Sequence, residues 1–419
     1  MNFADVAILG TGVAALAAAN RLAAEGKSVL LLNPDRDFFG EDSELPLDPL
    51  WPVTTETLDP KRLLRNSPEK AFEELRPDFP GSLEQWFAGE SHSASRNAKG
   101  QRAYRDPLAP HVRARSRLWL RTTRSKDWDA IERLYLESSD AGLRPRLLEG
   151  VLALKKFPGV SARAVSGEDR RGLLIPRMVD VDVTRYRVGL LEYVREKLGP
   201  RGIVSGASQV ELAPDGIRYY EGRTPHTTRI REGVLVFWTP RLNVWVLSQA
   251  KRAEVQPLRP RGVRLWEEWS LVSRERLDPG IVGMIGDMAV WAEVEGSPED
   301  EKFGSDAMDR LIVLRPGPLV PVEAFPHAGA SSPWGMNWAS SESFRDLMSL
   351  CQDLMKWEKF SIRSMRPRAI FEWGPEQDGL RSWVLSESAP SVQVIGGCDG
   401  PLTDVITTAR LACERMARA

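Results

Sequence analysis

The sequence is poor in the residues on which several kinds of site depend. Its three cysteines, Cys351, Cys398 and Cys413, are too scattered to form a disulfide framework or a metal site. This predicts no bound metal and a reducing, cytoplasmic environment. The 57 basic and 58 acidic residues leave a formal net charge of −1. This balance gives no electrostatic reason to expect nucleic acid or an anionic membrane as a partner of the whole surface.

Long apolar runs are missing too. No uninterrupted run approaches the roughly 20 apolar residues that a membrane-spanning helix needs, and the first residues lack the basic segment of a signal peptide. We therefore expect no transmembrane segment, while peripheral contact with a membrane through a surface patch stays open. The length of 419 residues predicts two or three domains. The oligomeric state has no signal in the sequence.

The beginning of the chain has the pattern of a strand followed by a glycine turn and a helix. Val6–Leu9 is apolar, and a G-x-G-x-x-A motif follows it at Gly10, Gly12 and Ala15. Gly10 permits a tight turn, and Gly12 lets a diphosphate approach main-chain N–H groups at the positive end of the helix. The motif predicts a dinucleotide-binding fold whose contacts come from Gly10, Gly12, Val13, Ala14 and Ala15.

The residues after the motif continue the same pattern. Ala14–Glu25 is rich in alanine and leucine and predicts a helix, which Gly26 ends in a left-handed cap. Ser28–Leu32 predicts a second, buried strand. Asn33 closes that strand where this fold usually has an acid for the ribose hydroxyls. Asn33 can still hydrogen-bond a ribose, and Asp35 lies two residues further on.

The middle of the chain predicts a helix and two groups of strands. Asp180–Leu198 has apolar residues three or four apart, as an amphipathic helix does. Short strands are predicted from the apolar runs and turn residues, first in one group and then in a second, largely antiparallel sheet. Those runs are Gly202–Leu212, Gly216–Tyr220 and Gly233–Trp238, then Pro257–Ala292 and Leu311–Val322, followed by a predicted helix at Ser341–Phe360.

Residues 51–180 have the pattern of an inserted helical cap. Helical spacing is present at Pro60–Leu75, Ser82–Phe87 and Trp128–Ser138. Between them lies the densest basic cluster of the chain, Arg113–Arg124, in which alternating arginines over Val112–Trp119 suit a strand with one charged face. We favour a solvated face, with an acidic substrate or partner as the alternative.

The end of the chain repeats the strand, glycine turn and helix. Val392–Ile395 is apolar, Gly396, Gly397 and Asp399 belong to the turn, and Val405–Ala417 has helical spacing. Backbone amides at a helix start are a second place where a ligand can bind. Just before this segment, Trp373 and Trp383 are candidate walls of a substrate cavity, and core packing explains them equally well.

No catalytic residue is evident. The four histidines lie in surface-like or loop contexts and are expected to be structural or solvated, and they are His92, His111, His226 and His327.

These segments resemble, in their order, FAD-dependent oxidoreductases of the glutathione-reductase-like superfamily. The sequence looks most like the branch that holds flavin amine oxidases, protoporphyrinogen oxidases and phytoene desaturases. About half of the chain carries the resemblance, through VAILGTGVAALAAA, RYRVGLLEYVREKLG, IVSGASQVEL, FWTP and VIGGCDGPLTDVITTARLACERMA.

The resemblance implies FAD as the cofactor and a site assembled from both ends of the chain. Gly10, Gly12 and Ala15 would hold the FAD pyrophosphate, Asn33 the adenosine ribose, and the backbone near Val210 the adenine. The terminal motif of the family has an acid where this chain has Gly396 and Gly397, and Asp399 is the candidate substitute.

The resemblance also implies the fold and the domain limits. The expected fold is an α/β protein, with a Rossmann-like FAD/NAD(P)-binding domain and an inserted mixed β-sheet plus helical substrate domain. The FAD-binding domain would comprise residues 1–50, 181–245 and 386–419. The helical cap would comprise residues 51–180, and the substrate-domain sheet and helix residues 246–385.

The implied function is hydride transfer from an apolar or amine small-molecule substrate to the flavin. Two alternatives stay open. One is a non-redox, flavin-dependent mutase in which Arg113–Arg124 binds a phosphate. The other is a non-catalytic or cofactor-free partner protein, for which Asn33 and Gly397 would mark a decayed site.

Overall fold

The computed structural model describes residues 3–10, 12–34, 112–121, 135–136, 139, 144–157, 160–165, 171–181, 183–273, 281–285, 288–294, 309–325, 345, 348–349, 352, 356, 361–373, 381–386, 390–398 and 402–417. These residues form two eight-stranded sheets with helices. In chain order the elements are β1 (Phe3–Leu9), α1 (Gly12–Ala24), β2 (Val29–Asn33), β3 (Val112–Arg121), β4 (Arg146–Glu149), α2 (Gly150–Lys156), α3 (Ala162–Val165), β5 (Arg171–Val181), α4 (Val183–Leu198), β6 (Ile203–Ser205), β7 (Ala207–Ala213), β8 (Gly216–Glu221), β9 (Thr224–Phe237), a 3₁₀ turn (Pro240–Leu242), α5 (Asn243–Arg252), β10 (Gly262–Ser273), β11 (Ile281–Ile285), β12 (Met288–Val294), β13 (Asp309–Val320), a second 3₁₀ turn (Val322–Ala324), β14 (Ser361–Glu372), β15 (Ser382–Ser386), β16 (Ser391–Ile395) and α6 (Leu402–Met416).

The first sheet has the order β15-β16-β9-β1-β2-β6, and β7 and β8 extend it from the beginning of β9. The five strands from β16 to β6 are parallel. Parallel strands covered on both faces are continuously apolar, as β2 is. Because the five strands run in the same direction, their carboxyl ends meet along one side of the sheet, which we call the carboxyl edge. It is formed by Leu9, Asn33, Ser205, Phe237 and Ile395.

Helices cover one face of this sheet. α1 contacts both α4 and α6, and its fully buried Leu16 belongs to one apolar core with Tyr186 of α4 and Ile406 of α6. The other face is covered by the β7–β8 hairpin, by α5 and by the near ends of β10 and β14, around the buried Trp238. The first sheet, which carries the carboxyl edge, is thus packed against other elements on both faces.

The second sheet has the order β14-β10-β13-β12-β11-β3-β5-β4. Its strand pairs are antiparallel except for β11 and β3, which are parallel. β10 is buried on both faces, and its Glu267 accepts a hydrogen bond from the Trp269 indole at 3.1 Å. Arg264 of β10 forms a salt bridge with Glu372 of β14 at 2.6 Å.

The α/β fold class is confirmed, because five parallel strands in this order with helices on one face form a Rossmann-like sheet. The second, mixed sheet is confirmed with it. Gly26 has φ +83°, as the predicted cap requires. β9 begins at Thr224, earlier than the predicted Gly233, because its polar first half pairs with β8. α5 was not predicted.

Other predictions lie outside the described residues or stay open. Pro60–Leu75, Ser82–Phe87 and most of Ser341–Phe360 fall outside them. The domain boundaries stay predictions, and β15 pairs with β16 across the boundary placed at residue 385. Among the helices of the described residues, none is both long and apolar enough to cross a membrane.

Candidate functional site

The turn from β1 into α1 needs glycine at two positions for two different reasons. Gly12 has φ +77°, a backbone conformation that side chains with a Cβ rarely adopt. A Cβ atom on Gly10 would lie 3.0 Å from the Ala15 Cβ and 3.1 Å from the Phe237 Cβ. Ala15 thus allows the close approach of helix and sheet that the motif predicts. The Gly10 N–H donates to the Leu32 carbonyl at 3.1 Å, which ties the turn to β2.

The start of α1 is suited to an anionic ligand. The helix is 13 residues long, its first turn has no acidic side chain, and Gly12, Val13 and Ala14 are buried there. The first N–H groups of a helix have no intrahelical acceptors and lie at the positive end of the helix dipole. A diphosphate bound at this point would receive those hydrogen bonds without meeting a negative side chain.

Asn33 lies at the end of β2, beside this turn. It is fully buried and is paired in register with Ser205 of β6. The structure therefore brings Asn33 to the carboxyl edge together with Gly10 and Gly12. A carboxamide offers hydrogen bonds without charge, so a contact with ribose hydroxyls would be weaker than that of a carboxylate. Asp35 lies outside the described residues.

The end of β9 adds two buried polar groups to the carboxyl edge. Trp238 and Thr239 follow the strand and are fully buried. Neither the Trp238 indole N–H nor the Thr239 hydroxyl has a hydrogen-bond partner within the described part of the chain. Buried polar groups without partners are rare in proteins, and a bound ligand is one explanation for them. Sequence reasoning missed this pair, although the Thr-Pro end of the strand was visible.

The terminal turn is connected to its neighbours by several hydrogen bonds. The Trp238 N–H donates to the Ile395 carbonyl at 2.8 Å, and the Gly396 N–H donates to the Arg381 carbonyl at 2.7 Å. Gly397 has φ +74°, and its carbonyl accepts from the Thr408 hydroxyl of α6 at 3.3 Å. The structure thus places Gly396 and Gly397 on the same edge as the first turn. Asp399 lies outside the described residues.

Trp373 and Trp383 belong to one aromatic cluster with Trp238 and Phe371. The Trp238 ring centroid lies 4.9 Å from those of Trp383 and Phe371, and 5.8 Å from that of Trp373. The Arg381 guanidinium lies 5.3 Å from the centre of the Trp373 ring. The cluster joins the end of β14 to the carboxyl edge. Whether its tryptophans also line a substrate cavity stays a prediction.

The aromatic cluster also explains Gly396. A Cβ atom there would lie 2.5 Å from the Trp373 ring, closer than any real contact. Glycine at this position is therefore required by an indole ring of the same chain, independently of any ligand. The sequence motif alone does not distinguish these two reasons.

Val210 lies on β7, away from the two glycine turns in sequence but in the apolar core under the first sheet. Its carbonyl accepts a hydrogen bond from the Trp245 indole at 2.7 Å. A register shift between Ser208 and Glu211, with φ +48° at Gln209, marks a bulge at this point. A carbonyl has a second lone pair, so the predicted backbone contact with adenine stays a prediction.

No group of three or more potential metal ligands is present in the described residues. Of the four histidines, only His226 is described. It stacks on Tyr219 with ring centroids 5.3 Å apart, on the hairpin of β8 and β9. Burial raises the pKa of Tyr219 above its usual 10.0, and a side-chain hydrogen bond with Thr228 acts in the opposite direction. His226 and Tyr219 therefore lie outside the carboxyl edge.

Neither a protein-family model nor a curated protein matches the sequence. Solved structures do match. Glycine oxidase from Geobacillus kaustophilus is 15% identical, with a TM-score of 0.59, 100% of this chain covered and 95% of that one. L-alpha-glycerophosphate oxidase from Mycoplasma pneumoniae, solved with FAD bound, is 13% identical, with a TM-score of 0.60 and coverage of 100% and 96%. L-proline dehydrogenase from P. horikoshii is 10% identical, with a TM-score of 0.62 and coverage of 100% and 93%.

At such identities the similarity is one of fold, and it extends over the whole chain. The chain therefore has the two-sheet α/β fold of these oxidases and this dehydrogenase.

Proposed function

We propose that the carboxyl edge of the first sheet binds FAD and that the chain is an FAD-dependent oxidoreductase. One observation carries the proposal. The β1–α1 turn combines a left-handed Gly12 with a buried helix start that has no acidic side chain in its first turn. Such a turn suits the pyrophosphate of a dinucleotide. The FAD bound to the glycerophosphate oxidase of the same fold supports FAD as that dinucleotide.

Each candidate residue would contact a different part of FAD. Gly10, Gly12, Val13, Ala14 and Ala15 would hold the pyrophosphate, and Asn33 the ribose of the adenosine. Val210 would contact the adenine, with Asp35 a further candidate at the ribose. The terminal turn, with Gly396, Gly397 and Asp399, would lie beside the flavin end. Thr239 and Trp238 offer buried hydrogen-bonding groups to the stretch between them.

The affinity for FAD should be lower than in a site with both acids. Asn33 replaces one, and Gly397 occupies the position of the other. Each lost polar contact costs about 1–3 kcal/mol, so two together weaken binding about a hundredfold or more. We therefore expect purified protein to contain less than one FAD per chain. The empty sites should bind FAD when it is added.

FAD, when bound, supplies the hydride acceptor, while the protein supplies orientation and a dry site. The aromatic cluster would contribute to that second role, because its four rings pack against one another beside the carboxyl edge. The three structural neighbours described above are named for glycine, glycerophosphate and L-proline. Two of these three compounds carry an amine, which favours the amine over the purely apolar substrate. The flavin amine oxidase branch remains a finer hypothesis within this proposal.

The test is a visible absorbance spectrum of the purified protein, followed by reduction of the bound flavin with candidate substrates. Purified protein, supplemented with FAD and freed of excess, should show the visible absorbance of bound flavin. Anaerobic addition of glycine, L-proline or glycerol 3-phosphate should then bleach it if the compound is a substrate. Protein that neither retains nor takes up FAD would contradict the proposal at its first step.

A second candidate is a chain that kept the fold and lost the cofactor. Its support is Asn33 in the place of the acid, together with the Trp373 ring against Gly396. Failure to bind FAD in the same experiment would favour this partner-protein role. Flavin that binds, and that none of these three compounds reduces, would show that they are not substrates and would leave the mutase, with Arg113–Arg124 as its phosphate site, as the alternative.

A further inference from the structure

α2 exposes apolar side chains on the side that usually carries polar ones. Val151 is 79% exposed and Leu152 is 55% exposed, whereas Ala153 and Phe157 are buried against the fold. Among the exposed large apolar side chains of the described residues, these two are the only neighbours in sequence. Single exposed leucines are ordinary, but an adjacent pair at this exposure calls for an explanation.

Basic residues surround this pair. Lys155 and Lys156 follow it by one helical turn and are exposed on the same side of α2. Arg146 of β4 and Arg163 of α3 are exposed as well, and α2 contacts both of those elements. Residues 144–163 contain five basic residues and one acidic residue, in a chain of net charge −1. We call Val151, Leu152, Arg146, Lys155, Lys156 and Arg163 the α2 patch.

The α2 patch lies at one end of the second sheet as the described residues form it. β4 is the last strand at one edge of the second sheet, next to β5 and then β3. The sequences of β5 and β3 add six arginines to that edge and one aspartate. The α2 patch and these arginine-rich strands belong to the second sheet, whereas the candidate FAD site lies on the first.

We propose that the α2 patch docks the protein on an anionic membrane surface. Aliphatic side chains flanked by lysine and arginine are the composition of interfacial membrane-binding segments, in which apolar groups enter the headgroup region and cations pair with anionic lipids. Single-stranded nucleic acid would use the cations, but its bases stack on aromatic side chains, and Val151 and Leu152 offer no aromatic ring. This inference is independent of the proposed FAD site.

The test is sedimentation of the full-length protein with sucrose-loaded vesicles. Vesicles of phosphatidylcholine and phosphatidylglycerol at a ratio of about 3:1 should bind the protein at low salt, and vesicles of phosphatidylcholine alone should not. Added salt should weaken the binding, because it screens exposed charges. Lys155→Gln with Lys156→Gln should lower the partition coefficient about 25-fold, at about fivefold for each charge. Val151→Ser with Leu152→Ser should lower it about tenfold.

Matched control variants are available on α5 and just after it. Lys251→Gln with Arg252→Gln removes two exposed charges from the end of this other helix, and Leu258→Ser removes an apolar side chain that is 44% exposed. Both should leave vesicle binding unchanged. Thermal unfolding followed by circular dichroism should give the same midpoint for all variants, because every substituted side chain is exposed.

Several results would overturn the proposal. These are no binding of the wild-type protein to the anionic vesicles, equal binding to vesicles without phosphatidylglycerol, or equal losses in the control variants. A change in molar mass by light scattering for Val151→Ser with Leu152→Ser, without a change in vesicle binding, would instead assign the α2 patch to contact between copies of the chain.

Discussion

The chain contains two strand–glycine–helix turns that look alike in sequence and differ in structure. Gly12 and Gly397 have nearly the same backbone angle, with φ +77° and +74°. In the first turn, Gly10 allows the close approach of helix and sheet, and the helix that begins at Gly12 has no acidic side chain in its first turn. In the second turn, Gly396 lies under the Trp373 ring, and the Gly397 carbonyl accepts a hydrogen bond from the Thr408 hydroxyl.

This difference shows that a glycine motif has more than one physical cause. A glycine can be required by a positive φ, by a neighbouring side chain or by a ligand that approaches the backbone. The first turn has the first two causes and suits the third. The second turn also has the first two causes, a positive φ at Gly397 and the Trp373 ring beside Gly396. Substitutions in and around the two turns separate these causes.

The largest effect is expected for Gly12→Asp. A carboxylate at this position would meet the pyrophosphate, and like charges at close range cost several kcal/mol. We expect FAD affinity to fall about a thousandfold, which corresponds to about 4 kcal/mol. FAD titration of the purified apoprotein measures it.

Gly26→Asp is the matched control for Gly12→Asp. Gly26 has φ +83°, and a Cβ atom added to it would have no atom within 4 Å, so the backbone strain is similar while no ligand is near. Both variants should lose about 1–2 kcal/mol of folding stability, and only Gly12→Asp should lose FAD. Equal FAD affinity in the two variants would refute the site at the first turn.

Gly396→Ala is expected to have the next largest effect, on stability. Its methyl group would overlap the Trp373 ring, and overpacking of this kind costs about 1–3 kcal/mol. Denaturant unfolding without FAD measures the loss. In a Trp373→Leu background the same substitution should cost much less, because the ring is gone. An equal cost in both backgrounds would remove Trp373 as the reason for this glycine.

Asn33→Asp is expected to strengthen FAD binding about tenfold, since a carboxylate gives a charge-assisted hydrogen bond to the ribose hydroxyls. The same variant should be less stable than wild type without FAD, because position 33 is fully buried and a buried charge is costly. Asn33→Ala should weaken FAD binding, and FAD titration measures both changes. Unchanged affinity in both variants would place the ribose elsewhere.

Thr408→Val is expected to have the smallest effect. It removes the hydrogen bond to the Gly397 carbonyl, which is worth about 0.5–1.5 kcal/mol. Thr408→Ser retains the hydroxyl and should stay near wild type in denaturant unfolding. If the two variants unfold alike, this hydrogen bond does not hold the terminal turn.

Much of the fold could be predicted from patterns of residues that are close in sequence. β1, α1 and β2 follow from an apolar run, a glycine motif and an alanine-rich helix, all within residues that are close in sequence. The Gly26 cap and the helix α4 follow for the same reason. The early start of β9 did not, because Thr224–Phe237 is polar in its first half and is held as a strand by pairing with β8.

The candidate site was only partly visible from the sequence. Gly10, Gly12, Asn33, Gly396 and Gly397 could be named, because each lies where a strand ends. Trp238 and Thr239 were missed as polar groups of the edge, since a strand that ends in Phe-Trp-Thr-Pro has the composition of ordinary core. Their burial without hydrogen-bond partners among the described residues depends on what packs around them.

By itself, the sequence determined the first strand–turn–helix, because glycine angles and helix propensity act over a few neighbouring residues. Only the tertiary structure decided why Gly396 is glycine, how Trp238, Phe371, Trp373 and Trp383 meet, and which apolar side chains of α2 stay in water. These features depend on contacts between distant segments, and the pattern along the chain does not record those contacts.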